Sequence, residues 1–264
     1  MQELYIIKIG GNILDNTDRL RCFLVDFAAL PGLKILVHGG GKIASAIGQR
    51  LGIAPQLIDG RRITDAATLD LVTMVYGGLI NKQVVAQLQA LGCNALGLTG
   101  ADGNLIPAQK RPAGKIDYGF AGDVAGPESI NAGALSALLT QSFTPVFAPL
   151  THDGNGSMLN TNADTIASVL ATALATIYRV KLVYCFEKKG VLQNADDETS
   201  IITKIDEANY KELKDAGIIT LGMIPKLDNA FAALKQGVST VQIGDATEIN
   251  DMVTGGRAGT LLIL

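Results

Sequence analysis

Five short apolar runs constrain this chain more than anything else in it: YIIKI (5–9), KILVH (34–38), PVFAP (145–149), LVYCF (182–186) and TVQIG (240–244). They are rich in β-branched and aromatic residues and too continuously apolar for a strand wetted on one face. The stretches between them carry a different period. Leu20, Phe23, Leu24, Phe27 and Leu30 recur at helical spacing across 17–30, and Pro31-Gly32 stops them. Further helices are expected near 42–51, from Thr64-Asp65 to about Leu91-Gly92, and near 131–142, 162–175, 206–216 and 224–236, with a terminal strand at TLLIL (260–264). Such alternation predicts an α/β fold with a mostly parallel sheet covered by helices. Between Thr99 and Gly126 the rhythm breaks into polar, glycine-rich sequence with a strand-like segment at Ile116 to Phe120, which predicts a flexible hairpin or lid. Two lobes would share one sheet, with a seam near 174–180.

Composition narrows the partners. The 264 residues carry a formal charge of −3 and no basic run, so the electrostatic footprint for nucleic acid or an anionic membrane is missing and small molecules are expected instead. Cys22, Cys93 and Cys185 are odd in number, widely spaced and set among apolar neighbours, as small buried hydrophobes of a reducing compartment would be. Met1 leads directly into a strand and no apolar run is long enough to span a bilayer, so a cytoplasmic protein is expected.

The chemistry gathers at strand ends. Gly10-Gly11 follows the first strand and Gly39-Gly40-Gly41 the second, each just before a helix, where amides unobstructed by a Cβ can meet anionic oxygens. Two such loops imply two anionic groups close together. Lys8 lies inside the first strand, and a buried ammonium costs several kcal/mol unless it is paired or meets an anion. A second lysine, Lys226, stands in the first turn of the helix begun by GMIPK, and two such charges on one anion require a carboxylate between them; Asp164, at a turn before another helix, is the candidate. A rival reading takes Gly39-Gly40-Gly41-Lys42-Ile43-Ala44 as a dinucleotide fingerprint, with Asp59 as its acid and Arg61 and Arg62 suited to a 2′-phosphate. That reading needs IAPQLID to be an apolar second strand, which Pro55 and Gln56 make a poor one, and it leaves Lys8 unexplained.

KIGGN, LVHGGGK, DGRRITD, LNTNAD and GMIPK, in this order and at these separations, resemble the amino-acid kinase family over essentially the whole chain. The resemblance implies a three-layer αβα sandwich around a mostly parallel sheet, with residues 1–175 binding an acyl-amino acid and mediating dimerisation and 176–264 binding ATP. It implies ATP-dependent phosphorylation of the side-chain carboxylate of N-acetyl-L-glutamate in arginine biosynthesis, with N-succinyl-L-glutamate as the alternative substrate. By position, Lys8 and Lys226 would stabilise the transferring phosphoryl group and Asp164 would orient both. Gly11, Gly40 and Gly41 would hold phosphate and carboxylate oxygens, Arg62 the α-carboxylate and Asn160 the amide region, with Asn162 beside it. Gly10, Gly11, Glu187, Lys188, Gly190, Ile219, Thr220 and Lys226 would line the ATP site, and Mg²⁺ would arrive on the phosphates. A carboxylate is already nucleophilic, so no general base is required; His38 is expected to pack at its strand end, and His152 need not act.

Two departures from the family pattern stand out. FEKKG (186–190) replaces a Ser/Thr-Asp-Val stretch, and Arg61 replaces an apolar residue before Arg62. Arg61 could add a second positive charge for an acyl group bearing its own carboxylate. The strand beginning by Leu4, without the N-terminal helix of arginine-inhibited relatives, implies an arginine-insensitive homodimer. An NADP-dependent oxidoreductase and a non-catalytic ligand-sensing member of the family are the readings of other classes.

Overall fold

A computed structural model describes residues 1–58, 60–194, 196–219, 223–255 and 258–264. The chain opens with β1 (Glu3–Ile9), a single helical turn α1 (Gly11–Leu14), α2 (Thr17–Ala29), β2 (Leu33–His38) and α3 (Gly41–Arg50). A small hairpin, β3 (Leu57–Ile58) with β4 (Arg61–Arg62), leads into α4 (Ala66–Val72), a π-helical segment (Thr73–Ile80), α5 (Asn81–Ala90) and β5 (Ala95–Leu98). A second hairpin pairs β6 (Gln109–Lys110) with β7 (Gly122–Asp123); α6 (Ala132–Thr140), β8 (Thr144–Phe147) and the hairpin β9 (Leu150–His152) and β10 (Met158–Asn160) follow. The remainder is α7 (Ala163–Leu174), β11 (Arg179–Phe186), β12 (Lys204–Ile205), α8 (Glu207–Asp215), α9 (Ile224–Lys235), β13 (Thr240–Asp245), α10 (Ile249–Thr254) and β14 (Thr260–Leu262).

Eight strands form one sheet in the order β12-β14-β13-β11-β1-β2-β8-β5. It is parallel from β13 to β5, while β14 runs antiparallel to β13 with β12 parallel to it. The sheet is continuous across the seam anticipated at 174–180, since β11 pairs directly with β1. Its two cores divide by face, because neighbouring strand residues point to opposite sides. Leu4, Ile6, Ile35, Val37 and Leu182 pack with residues of α7 and α9, whereas Tyr5, Ile7, Ile9, Leu36 and Val183 pack with α2 and α5. Helices on both faces make the three-layer sandwich.

Several local expectations need correction. Residues 116–120 form no strand; Gly119, at φ +64°, makes only a single bridge to Thr64. The hairpin expected between Thr99 and Gly126 is present as β6 and β7, and it is joined to its neighbours by Phe120 N–H donating to Thr64 O and Asn160 N–H donating to Phe120 O. The single helix expected over 65–91 is α-helical only at its ends, its middle widening through Tyr76-Gly77-Gly78. Cys22 lies on the exposed side of α2 next to buried Phe23, while Cys93 and Cys185 are buried as expected. Among the described residues no helix is long and apolar enough to cross a membrane.

The dinucleotide reading fails on topology. Leu57–Ile58 pairs antiparallel with Arg61–Arg62 in a separate two-stranded sheet and never joins β2, so the βαβ unit that would carry the acid is not built. Asp59, its acid, lies outside the described residues.

Candidate active site

Strand alternation determines where Lys8 points. It shares a face of β1 with Leu4 and Ile6, the face on which α7 and α9 pack. Asp164 occupies the first turn of α7 and Lys226 the first turn of α9, so three residues far apart in sequence meet at the C-terminal end of the sheet. Lys8 Nζ lies 2.7 Å from Asp164 Oδ1, with the two side chains 10% and 21% exposed. Asp164 is the partner that a buried ammonium in YIIKI required. Burial alone does not mark Lys8, because Lys34 is also buried; its ammonium donates to Ala28 O and Leu30 O at 2.7 and 2.8 Å, answering the C-terminal end of α2.

Lys226 is held differently. Its Nζ sits 3.7 Å from the centroid of the Phe186 ring, and Lys8 Nζ lies 5.4 Å from the same ring. Burial pulls Lys226 below the ordinary lysine pKa; the Asp164 carboxylate opposes that shift, and the charge of Lys8 adds to it. Both lysines line a cavity of about 670 Å³ together with Gly10, Gly11 and Gly41. Its apolar wall comes from Val191, Leu192, Ile218, Ile219, Met223 and Ile243. Glu187, Lys188 and Gly190 also line it, so every residue expected on the ATP side is brought to one cavity except Thr220, which lies outside the described residues. At the rim Lys42 Nζ approaches Asp15 at 3.7 Å, and burial raises the Asp15 pKa despite that lysine.

The residues expected to bind substrate form an adjoining network. The glycine loops abut: Gly39 N–H donates to Ile9 O, and a Cβ on Gly39 would lie 3.7 Å from Gly11 N. Gly40 adopts φ +150°, and a Cβ there would fall 2.5 Å from Ile80 Cδ1 of the π-helical segment, so only glycine suits this approach. Arg62 donates to Gly41 O at 2.9 Å and to Ser45 Oγ at 2.7 Å. Asn160 Nδ2 donates to Thr64 Oγ1 at 2.9 Å, and that hydroxyl donates to Arg62 O at 3.2 Å. Asn162 instead caps α7, its Oδ1 accepting from Asp164 N–H and Thr165 N–H. Arg61 is exposed and precedes Arg62 on a two-residue strand, where neighbouring side chains alternate sides. Sequence reasoning left Phe186, Ser45 and Thr64 without roles.

His38 is fully buried, with Nδ1 2.8 Å from Gly39 O and Nε2 3.2 Å from Asn81 Nδ2. Burial pushes its pKa down to about 4, so it is neutral at physiological pH, with Nδ1–H donating to Gly39 and Nε2 accepting from Asn81. A depressed folded-state pKa means that the unfolded chain takes up a proton first as pH falls. The stabilisation is complete above 6.5 and lost toward 4, a span worth about 3 kcal/mol. In urea unfolding, His38→Gln, which keeps an acceptor for Asn81, is expected to lose less stability than the wild type across that window. Parallel losses in the two proteins would remove His38 as the cause.

A cavity with cationic groups and glycine turns at one end and apolar walls at the other has the shape and chemistry of a nucleoside triphosphate site. The comparisons agree. Residues 3–245 match the model of the Amino acid kinase family. The chain is 57% identical over 265 residues to an acetylglutamate kinase of Cytophaga hutchinsonii, covering 100% of this chain and 99% of that protein. It is 56% identical over 250 residues to an acetylglutamate kinase of Phocaeicola vulgatus, covering 95% and 96%. Among solved structures, carbamate kinase from Giardia lamblia bound to AMP-PNP superimposes with a TM-score of 0.70 at 14% identity, over 99% of this chain and 98% of that one, a likeness of fold. With the family match spanning nearly the whole length and the motif residues meeting at one cavity, the chain belongs to the Amino acid kinase family.

Proposed function

We infer that this protein is an ATP-dependent kinase that phosphorylates the side-chain carboxylate of N-acetyl-L-glutamate, giving an acyl phosphate in arginine biosynthesis. The observation that carries the reading is the convergence of Lys8 and Lys226 on one glycine-lined cavity, with Asp164 2.7 Å from the first. Two ammoniums from different elements can follow the negative charge as it spreads over a transferring phosphoryl group. Asp164 offsets their repulsion and holds Lys8 in place. Arg62 and Asn160, joined through Thr64, offer donors to the substrate's α-carboxylate and amide on the side of Gly40 and Gly41. No side chain has to take a proton, since the attacking carboxylate is ionised at neutral pH; buried, neutral His38 is consistent with that.

Residues 1–175 supply the substrate donors and 176–264 the apolar wall, which supports the division into a substrate lobe and an ATP lobe. The reading takes Mg²⁺ as carried on the nucleotide phosphates. When bound there, the ion would neutralise phosphate charge. The reading also carries a homodimer and a cytoplasmic location.

The N-succinyl alternative leaned on Arg61, which is exposed, while the relatives at 57% and 56% identity are acetylglutamate kinases, so the acetyl compound is the reading favoured. Mg-ATP-dependent acyl phosphate formation, trapped as a hydroxamate, tests it across acetyl-, succinyl- and unsubstituted glutamate. Hydroxamate is expected with the acetyl compound. Its absence with all three would leave the non-catalytic reading, and a preference for the succinyl compound lost in Arg61→Leu would restore the alternative.

A further inference from the structure

Phe186 ends β11 with its ring in the cavity wall, between two lysines of which, among the described residues, only Lys8 makes an ion pair. Lys8 takes the Asp164 carboxylate, at 2.7 Å. What Lys226 meets is the ring face, at 3.7 Å from the centroid. The ring is itself fixed: Tyr184, two residues back on the same face of β11, stacks against it with centroids 6.3 Å apart and planes inclined by 16°.

We propose that Phe186 is a positioning residue whose ring face holds the ammonium of Lys226 in the cavity beside Lys8 until an anion arrives. The inference rests on the phosphoryl-transfer reading of this cavity. Its physical basis is graded attraction. An aliphatic side chain would offer the ammonium no field, and Lys226, repelled by Lys8, would swing toward water. A second carboxylate would bind it so firmly that a phosphate would have to compete for it. The quadrupole of an aromatic face lies between these limits, strong enough to localise a partly desolvated ammonium and weak enough to release it to an incoming phosphate.

Substituting mono-, di- and trifluorophenylalanine at position 186 of the full-length chain tests the proposal, because fluorine drains the negative ring face at nearly constant shape. Turnover is expected to fall stepwise, by about threefold to tenfold at the trifluoro ring, while KM for ATP stays within about twofold. Phe186→Leu, which keeps apolar bulk without a ring face, is expected to fall at least as far. A flat turnover across the fluorine series overturns the proposal, since packing alone would produce that result. Lys226→Ala separates this inference from its foundation: an inactive Lys226→Ala with a flat series overturns only the role of Phe186, whereas near-normal turnover in Lys226→Ala overturns both.

Discussion

Lys226→Ala is expected to lower turnover by at least about a hundredfold while leaving the stability of the protein nearly unchanged. Removing one preorganised charge contact to a transition state commonly has an effect of that size. Lys226 makes no ion pair among the described residues and its ammonium lies over the ring of Phe186, so alanine leaves no charge stranded. Lys8→Ala should lose a comparable factor in turnover but differ in stability. It strands Asp164 beside an apolar strand, and breaking the pair is expected to cost on the order of 2 kcal/mol, less than for a fully buried pair because Asp164 is about one-fifth exposed. Single-turnover rates with saturating Mg-ATP, measured beside urea unfolding of the same samples, separate the two effects. Near-normal turnover in either variant would remove that lysine from the proposed mechanism, and equal stability losses would mean that Asp164 does not discriminate between them.

The contrast between the lysines also shows which parts of the site could be read before the fold was known. Lys8 was legible because its anomaly is local: an ammonium in an apolar run must find an anion, whatever the topology. Lys226 and Asp164 each look ordinary in sequence, as residues in the first turn of a helix, and only the packing of α7 and α9 on the same face of β1 brings them together. The parallel sheet was legible from continuous apolar runs, but β5 and β12 were missed, since ALGL and KI are too short to stand out as runs. Arg61 and Arg62 looked like one basic pair. On a strand, adjacent residues face opposite sides, and recognising the β3–β4 hairpin would have separated them. Phe186 drew attention only as a departure from a pattern; its ring contacts depend on where α9 begins, and nothing near LVYCF in the sequence determines that.

Asp164→Asn should reveal the same electrostatics from the other side. Asparagine is close in size and retains hydrogen-bonding capacity, but it leaves Lys8 and Lys226 without the charge that offsets their repulsion. Turnover is expected to fall by about a hundredfold or more as the lysines move apart and lose their aim. Ground-state attraction for a triphosphate should not fall with it, because the cavity becomes more positive, so KM for ATP is expected to hold or decrease while kcat collapses. The pH profile provides a third readout. Asp164 now raises the pKa of Lys226, against the lowering by burial and by Lys8; without it, Lys226 gives up its proton at lower pH. In the free protein the Lys226 pKa lies below the ordinary lysine value of 10.5, so the alkaline limb of kcat/KM, which reports the free enzyme, should move further toward neutrality in Asp164→Asn. An alkaline limb that stays in place, or a KM for ATP that rises in step with the loss of kcat, would show that Asp164 acts through nucleotide binding and not through the charge state and spacing of the two lysines.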